Sequence, residues 1–490
     1  MDPPPRCMST QHPDNAAIPD FATGPLMSPD DEIAEAHRAY AVLGCDEQLW
    51  DYDGKRTDGF VVERLLSEQS AFFRETPLGE AVALTIRVPN PALERSDAKL
   101  LLEVLHSLPR HADAARIFYG RERIPVAELI FPMTTSALEI RRVRGCYERL
   151  VAGAEGLSLA AGDPALGSWF GPFRPRQVRV TPLIEDLPSL LAAGTIAAQC
   201  VRDADEPFQR VFIARSDPAL NYGMVAATLL SLVALQQLAQ TERELGIPVY
   251  PIIGVGGAAF RGGLRPDTAA RVLARYPSVQ TFTLQSAFKY DHPLPAVIAA
   301  TARLRGSVRD APVPIDADRA ERLITKLADR YRDEIASLAP LVNEVALQIP
   351  RRRARKLHVG LFGFSRSSEG ISLPRAIPLC ASLYSIGLPP ELVGLAVLDD
   401  EDWRWLEAAV PGSMEDLRDA LRYLDEAGLR WLPVPVRESV AAAAARLRPV
   451  EPEPEHVAIS GAIGACVRGG RGSSIGELVL RAGGIRHFLG

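Results

Sequence analysis

The sequence predicts an α/β protein, a (β/α)8 barrel of the TIM type with additional C-terminal helices. Short β-branched runs recur along the chain, stretches with helical periodicity separate them, and most runs end in a polar or glycine-rich cluster. Strands that alternate with helices form parallel sheets with crossover helices, and a closed barrel needs eight such units. The predicted strands, counting the first as a strand end, are "MSTQHP", "VALTIRVPN", "ELIFPMTTS", "VRVTPLIED", "RVFIARSDP", "YPIIGVGG", "QTFTLQSAF" and "HVGLFGFS".

An open, doubly wound sheet is the alternative fold, but the glycine-rich dinucleotide fingerprint after an early strand is missing. The rest of the chain, roughly 300–355 and 367–490, is predicted to be mostly helical. The segments "EIASLAPLVNEVALQI" and "SMEDLRDALRYLDEAG" there have amphipathic periodicity. No long low-complexity linker divides the chain, so residues 1–490 are predicted to form one barrel domain with helical additions.

Composition narrows the class of protein and its partners. Hydrophobic residues make up 47% of the 490 residues and charged residues 24%, as in ordinary globular proteins. The formal net charge is −6, which argues against a nucleic-acid partner. No membrane partner is expected, because the most apolar helical run, "MVAATLLSLVALQQLA", is short and carries glutamines. The six cysteines are scattered without metal-binding spacing, which favours a reducing cytoplasm.

Two carboxylates are candidate metal ligands. The runs "PLIED" and "ARSDP" end consecutive predicted strands and bring Glu185 and Asp217 to neighbouring positions on the rim where barrel enzymes place their chemistry. Two carboxylates suit Mg²⁺, which takes its other ligands from water and substrate. The alternative is helix capping, because Asp186 and Asp217 each precede a helical segment. The spacing of these residues alone favours helix capping over metal binding.

Arginines are the candidate anion ligands. The segment "GVGGAAFRGGL" surrounds Arg261 with five glycines. Glycines such as Gly256 and Gly257 let backbone N–H groups approach an anion, and a guanidinium binds carboxylate or phosphate with two hydrogen bonds. Arg87 and Arg215 lie at the ends of apolar strands. Each either binds substrate or pairs with a structural carboxylate.

Two further strand ends carry polar candidates. The run "LQSAFKYDHP" supplies Gln285 and Lys289, although Lys289 also fits a helix surface. His12 lies in "CMSTQHPDN", a stretch too polar to be core, where an imidazole titrating near neutrality suits proton transfer. Taken alone, a histidine in such a place is more often structural.

The motifs in order resemble a known family, the archaeal-type phosphoenolpyruvate carboxylases, from residue 6 to Gly490. The stretches that carry the resemblance are "CMSTQHPDN", "GCDEQLWDYDGK", "IRVPNP", "FPMTTS", "PLIED", "ARSDPALNYG", "GVGGAAFRGGL", "LQSAFKYD", "PRAIPLCASLYSIGLPPE" and "FLG". The resemblance implies an enzyme that makes oxaloacetate and phosphate from phosphoenolpyruvate and bicarbonate with Mg²⁺ or Mn²⁺. Carboxyphosphate and the enolate of pyruvate are the implied intermediates, and a cytoplasmic homotetramer is the implied assembly.

The resemblance also implies roles for individual residues. His12 matches the motif histidine that acts as general base on carboxyphosphate. Gly490 fits a family habit of ending in glycine near the active site, so an extension there is expected to be disruptive. The implied metal ligands are Glu185 and Asp217, and the implied ligands of phosphoryl and carboxylate groups are Arg87, Arg215 and Arg261.

The chain departs from the long bacterial enzymes at two places. Leu220 stands where they have a lysine, and Val255 stands where they have a second arginine in the glycine loop. Which cations hold bicarbonate therefore stays open, with Lys289 as one candidate. Two other functions remain in view: a different Mg²⁺-dependent lyase or aldolase acting on a pyruvate enolate, and a catalytically silent barrel that senses phosphoenolpyruvate.

Overall fold

Eight parallel strands form the centre of the molecule and close on themselves in chain order. The computed structural model describes residues 3–52, 59–94, 98–203, 206–354, 371–470 and 475–490. Closure is direct, because Met8 pairs with Glu47 on one side and with Thr283 on the other. The predicted barrel is confirmed and the open sheet is wrong. The strands are β1 (Cys7–Ser9), β2 (Glu47–Asp51), β3 (Ala83–Arg87), β4 (Glu128–Phe131), β5 (Arg179–Ile184), β6 (Gln209–Ala214), β7 (Val249–Gly254) and β8 (Thr281–Leu284).

One strand differs from the prediction. The sequence analysis assigns no strand to "EQLWD", which forms β2. This run is acidic at both ends and lacks the β-branched residues that mark the other strands. Its first residue, Glu47, is nevertheless fully buried. The predicted strand "HVGLFGFS", residues 358–365, lies outside the described residues, and the barrel closes without it.

Helices surround the barrel and continue beyond it. The two amphipathic segments are confirmed as helices, since α14 contains most of the first and α17 begins the second. The described α-helices are α1 (Pro29–Ala41), α2 (Val61–Glu68), α3 (Ser70–Glu75), α4 (Leu100–Tyr119), α5 (Ala137–Cys146), α6 (Leu166–Phe170), α7 (Leu187–Leu191), α8 (Ala193–Arg202), α9 (Ser216–Tyr222), α10 (Met224–Leu245), α11 (Ala269–Arg275), α12 (Ser286–Tyr290), α13 (Leu294–Gly306), α14 (Ala317–Ala346), α15 (Ala376–Ser385), α16 (Asp400–Ala409), α17 (Ser413–Leu421), α18 (Val434–Leu447), α19 (Pro454–Arg468) and α20 (Gly476–Arg486).

The barrel helices and the C-terminal helices share a hydrophobic core, which extends from Cys7 to Phe488. The apolar helix α10 packs against α8, α9 and α14. By length and composition α10 could cross a membrane, but 78% of its most apolar stretch is buried inside the protein. A core helix passes the same test, so this feature is weak support for a span. The single domain over residues 1–490 stays a prediction.

A buried ionic network fills the amino-terminal end of the barrel. Arg210 on β6 donates to both carboxylate oxygens of Glu47 at 2.7 and 2.8 Å, to Glu128 at 3.2 Å and to the Thr281 hydroxyl at 3.0 Å. These residues come from the even-numbered strands and form one interior layer. Burial alone would lower the pKa of Arg210, but the carboxylates of Glu128 and Glu47 raise it. The network therefore fills this end of the barrel with buried ionic side chains that hydrogen-bond one another.

Removal of the cation tests this network. We expect Arg210→Met to lower the free energy of unfolding by about 3–5 kcal/mol, because the buried carboxylates of Glu47 and Glu128 lose their cation. The matched control is Arg141→Met, since Arg141 is 59% exposed and pairs with Asp203 at 3.4 Å. Its loss should cost less than about 1 kcal/mol. Urea unfolding of both variants measures the difference, and equal effects would contradict the assignment.

Candidate active site

A cavity of about 600 Å³ opens at the carboxyl ends of the strands. Two segments of the C-terminal part, around residues 343–353 and 373–378, complete its walls. Seven of the predicted site residues line it: His12, Arg87, Glu185, Arg215, Asp217, Arg261 and Gln285. Four others do not line it: Gly256, Gly257, Lys289 and Gly490. The topology thus brings most of the candidates together, as the barrel rule requires.

The two predicted metal ligands lie on the same cavity wall. Glu185 follows β5, is 5% exposed, and its Oε2 accepts a hydrogen bond from the Met133 N–H at 2.6 Å. Asp217 lies in the first turn of α9 and is half-buried. Capping is correct for Asp186, whose side chain accepts from the Ser189 N–H at 2.8 Å, whereas Asp217 makes no capping bond.

This donor set fits a hard divalent cation. Mg²⁺ is commonly held by one or two carboxylates together with water and substrate oxygens. In the described part of the chain, no group of three or more His, Cys, Asp or Glu side chains is arranged to hold a metal. A cation between Glu185 and Asp217 would therefore depend on water and substrate for its remaining ligands, as in an open catalytic site.

Arg261 connects four loops of the rim. It lies in a short 3₁₀ turn after β7 and is 1% exposed. Its Nε donates to Ser216 Oγ at 3.1 Å, its Nη1 to Asp14 Oδ2 at 3.1 Å and to the Gly490 oxygen at 2.8 Å, and its Nη2 to Gln285 Oε1 at 2.6 Å. These contacts use four of the five guanidinium N–H donors. Arg261 is therefore held rigidly, with little donor capacity left for a ligand.

The two loop glycines support Arg261 sterically. The Gly256 N–H donates to the Arg261 carbonyl at 2.9 Å and the Gly257 N–H to Asp14 Oδ2 at 3.1 Å, so neither amide is available to an anion. A Cβ on Gly256 would lie 2.7 Å from Arg261 Nη1 and 3.0 Å from Gln285 Oε1. The prediction that these amides bind substrate is corrected on this point, because protein acceptors already occupy them.

Arg87 and Arg215 differ in how they are paired. Arg87 makes two hydrogen bonds to the Asp51 carboxylate at 2.7 and 2.9 Å, so the structural alternative applies to it although it lines the cavity. Arg215 is 1% exposed and donates from Nη2 to Thr228 Oγ1 at 2.9 Å. Its Nε and Nη1 have no hydrogen-bond partner within the described ranges, and burial lowers the pKa of its guanidinium. Arg215 is thus a buried cation at the cavity wall whose hydrogen-bonding capacity is only partly used.

His12 lies at the end of β1 and is half-buried. Its Nδ1 is 3.0 Å from Thr10 Oγ1. In the tautomer that donates from Nδ1–H to Thr10, Nε2 carries the lone pair and is the basic nitrogen. His12 is therefore oriented by Thr10, and in this tautomer Nε2 is the nitrogen that would accept a proton.

Lys289 is excluded from the cavity by its own hydrogen bonds. Its ammonium is fully buried and donates to Ser9 Oγ at 3.0 Å, to the Thr10 carbonyl at 2.9 Å and to Glu35 Oε1 at 2.8 Å. An ammonium has three N–H donors, and all three are used. The prediction that Lys289 holds bicarbonate is wrong, and so is the alternative of a solvated helix surface.

Gly490 contributes through its backbone rather than by lining the cavity. Its oxygen accepts from Arg261 Nη1, and a Cβ there would collide with the carbonyl oxygen of Ile377. Two supporting carboxylates were not among the predicted residues. Asp14, two residues after His12, binds Arg261, while Glu391 accepts from the Phe260 N–H at 2.7 Å.

These supporting carboxylates carried different sequence signals. Asp14 lies inside the quoted run "CMSTQHPDN", but an acid beside a proline is common in loops. Glu391 is the last residue of the quoted run "PRAIPLCASLYSIGLPPE", but no role was predicted for it. In the structure, burial raises the pKa of Glu391 to about 7.

The fold and this cavity together define a class. A parallel barrel that collects buried arginines, two carboxylates and an oriented histidine at the carboxyl ends of its strands is a barrel enzyme for a small anionic substrate.

Comparison with known proteins identifies the family. A family model described as phosphoenolpyruvate carboxylase matches residues 4–490. Relatives named phosphoenolpyruvate carboxylase include those of Methanospirillum hungatei (46% identity), Methanothermobacter thermautotrophicus (44%) and Halobacterium salinarum (44%), each alignment covering 99% of both chains. The chain belongs to the phosphoenolpyruvate carboxylase family, and the predicted resemblance and the predicted carboxy-lyase class are confirmed.

Solved structures with lower similarity include two other enzymes. An HpcH/HpaI aldolase of Desulfitobacterium hafniense aligns at 14% identity and a TM-score of 0.31, covering 61% of this chain and 90% of that one. A malate synthase magnesium/glyoxylate complex of Haloferax volcanii aligns at 12% identity and a TM-score of 0.38, covering 67% and 84%. The barrel assignment for this chain rests on its own strand pairing.

Gly256 tests the rigidity of the site. We expect Gly256→Ala to displace the Arg261 guanidinium and to lower kcat/KM roughly 100-fold, since small misplacements of site groups cost about that much. The matched control is Gly145→Ala in α5, where a Cβ meets nothing within 4 Å. A helix interior favours alanine by up to about 1 kcal/mol, so this control should keep its activity. Steady-state kinetics of both variants decide, and an unimpaired Gly256→Ala contradicts the steric argument.

Proposed function

We propose that this chain converts phosphoenolpyruvate and bicarbonate into oxaloacetate and phosphate, through carboxyphosphate and the enolate of pyruvate. The observation that carries the proposal is the cavity itself, where Arg215, the carboxylates of Glu185 and Asp217, and His12 face one space. Membership of the carboxylase family supports the same reaction.

Glu185 and Asp217 are the proposed ligands of Mg²⁺ or Mn²⁺. When bound, the cation supplies charge neutralisation for the phosphate and for the enolate oxygen as electrons move between them. The two carboxylates position that charge beside Arg215, which lies two residues from Asp217. The Met133 N–H fixes Oε2 of Glu185 at 2.6 Å, and the Glu185 side chain lines the cavity.

Arg215 binds and orients the phosphoryl group. A bicarbonate oxygen attacks phosphorus, the bond from phosphorus to the enol oxygen breaks, and the electron pair remains on the enolate. Little covalent chemistry is left to the protein in such a transfer, so positioning and charge compensation account for most of the catalysis. Arg215 has donors for the equatorial oxygens, while Arg261 and Gln285 hold the wall against which the substrate lies.

His12 is the proposed general base. It takes the proton from the carboxyl group of carboxyphosphate, CO₂ and phosphate separate, and the enolate carbon then forms a bond to CO₂ to give oxaloacetate. The enolate must be protected from protonation by water meanwhile. Apolar side chains that line the cavity, including Leu183, Phe212 and Leu489, limit access of water.

Assembly and location are proposed on separate grounds. All six cysteines are free and four of them are buried, which supports a reducing cytoplasm. The rings of Trp169 and Phe170 stack at 4.8 Å and are 74% and 62% exposed. An exposed aromatic pair supports association between copies of the chain, consistent with the proposed homotetramer.

The His12 variant tests the mechanism. We expect His12→Asn to lower bicarbonate-dependent oxaloacetate formation at least 100-fold, because a general base contributes 10²–10⁴-fold. Oxaloacetate is measured by coupling to malate dehydrogenase and following NADH, and phosphate release is measured in parallel. The control is His106→Asn, on an exposed position of α4.

The wild-type protein separates the alternatives in the same assay. Binding of phosphoenolpyruvate without turnover favours a sensor. Enolate chemistry that needs no bicarbonate and releases no phosphate favours a lyase or aldolase. Either result contradicts the proposed reaction.

The metal ligands have a neighbouring control. We expect Glu185→Gln to raise the Mg²⁺ concentration for half-maximal activity at least tenfold and to reduce the stabilisation of the folded protein by Mg²⁺ in thermal melts. Asp186→Asn should leave both values unchanged, because asparagine also caps a helix and Asp186 faces away from the cavity lining. Equal shifts in the two variants contradict the assignment of Glu185.

A further inference from the structure

The exclusion of Lys289 leaves bicarbonate without a protein ligand, and Arg352 is a buried cation that the proposed mechanism does not use. Arg352 lies in the extended segment after α14, where its carbonyl accepts from the Met27 N–H at 3.0 Å. Its side chain is 4% exposed and lines the active-site cavity. A charged group therefore reaches the cavity from outside the barrel strands.

Arg352 has no bound counter-charge. Across the described residues its guanidinium makes no side-chain hydrogen bond or ion pair, and its Nε is buried without a partner. Burial lowers the pKa of Arg352, and Asp291 opposes this lowering. The Asp291 carboxylate, however, is occupied by the N–H groups of Ala16 and Ala17, both at 2.7 Å.

Arg353, the next residue, has a structural role, because its charge is paired inside the protein. Arg353 binds Glu35 through two hydrogen bonds at 2.5 and 2.7 Å, and Glu32 and Ser286 at 3.2 and 3.1 Å. Arginine is seldom buried without a partner, and a guanidinium remains charged at any ordinary pH. Arg353 is paired with two carboxylates, whereas Arg352 is paired with none among the described residues, and this difference indicates an anionic ligand for Arg352 in the cavity.

The position of Arg352 in the cavity indicates which anion it binds. Arg215 and the two metal carboxylates follow strands β5 and β6, where the phosphoryl group is proposed to bind. Arg352 belongs to the β1 side, because Arg353 binds Ser286, and the Ser286 N–H donates to the His12 carbonyl at 3.2 Å. An anion at Arg352 is thus on the side of the proposed general base.

We infer that Arg352 is the bicarbonate-binding cation of this active site. The inference rests on the proposed carboxylase reaction. Bicarbonate is a small planar monoanion, and a guanidinium presents two parallel N–H groups to two such oxygens. The third oxygen is then directed at phosphorus. After transfer, the carboxyl group of carboxyphosphate remains near His12, where its proton is removed.

Kinetics with each substrate varied separately test the inference. We expect Arg352→Gln to raise KM for bicarbonate at least tenfold at saturating phosphoenolpyruvate, while KM for phosphoenolpyruvate changes less than twofold. Arg352→Lys, which keeps the charge but not the paired donors, should give an intermediate KM for bicarbonate. Arg322→Met is the matched control, because it removes a positive charge from an exposed side chain of α14 that does not line the cavity.

The outcomes separate the inference from the function on which it rests. A rise in KM for phosphoenolpyruvate instead, or an equal effect of Arg322→Met on KM for bicarbonate, overturns the role of Arg352 while oxaloacetate formation by the wild type stands. No bicarbonate-dependent oxaloacetate from the wild type overturns the proposed function itself. If Arg352→Gln does not fold, as judged by circular dichroism, Arg352→Lys decides by the same two KM values.

Discussion

The ion pair between Arg261 and Asp14 is the interaction on which the site depends. Both side chains are buried, with at most 1% exposed. Through them the loop after β1 is joined to the loop after β7, and the remaining donors of Arg261 reach Ser216, Gln285 and Gly490. A buried pair of this kind is stable only when its other hydrogen-bonding groups are satisfied. The backbone N–H groups of Gly257 and Ala287 meet that requirement for the carboxylate.

The two ends of the barrel use buried charge in opposite ways. At the amino-terminal end, Arg210 is matched by two carboxylates and a hydroxyl, so that this end is closed and structural. At the carboxyl end, Arg215 and Arg352 stay partly or wholly unpaired among the described residues. A buried cation without a partner lowers the stability of the fold. Around one cavity, such cations can bind anionic groups of a substrate.

Contacts behind the cavity wall explain why some of the cations can bind a substrate and others cannot. Glu35 takes up both Lys289 and Arg353, which removes two cations from the cavity and fixes the segment that carries Arg352. Burial would raise the pKa of Glu35, but Arg353 and Lys289 hold it well below its usual range. Asp51 similarly orients Arg87. More cations therefore lie near the cavity than are free to bind a substrate.

The amino-acid sequence by itself determined the barrel, because apolar strands alternating with helices have few other ways to bury their faces. It also determined which strand ends carry His12, Glu185 and Arg215, since those positions follow from strand order. Only the tertiary structure decided which cations are free to bind. The sequence does not show which of the two cations, Lys289 or Arg352, is paired inside the protein. The contacts that occupy Lys289 come from residues about 250 to 280 positions away. Pairing of that kind depends on chain closure, which no local pattern records.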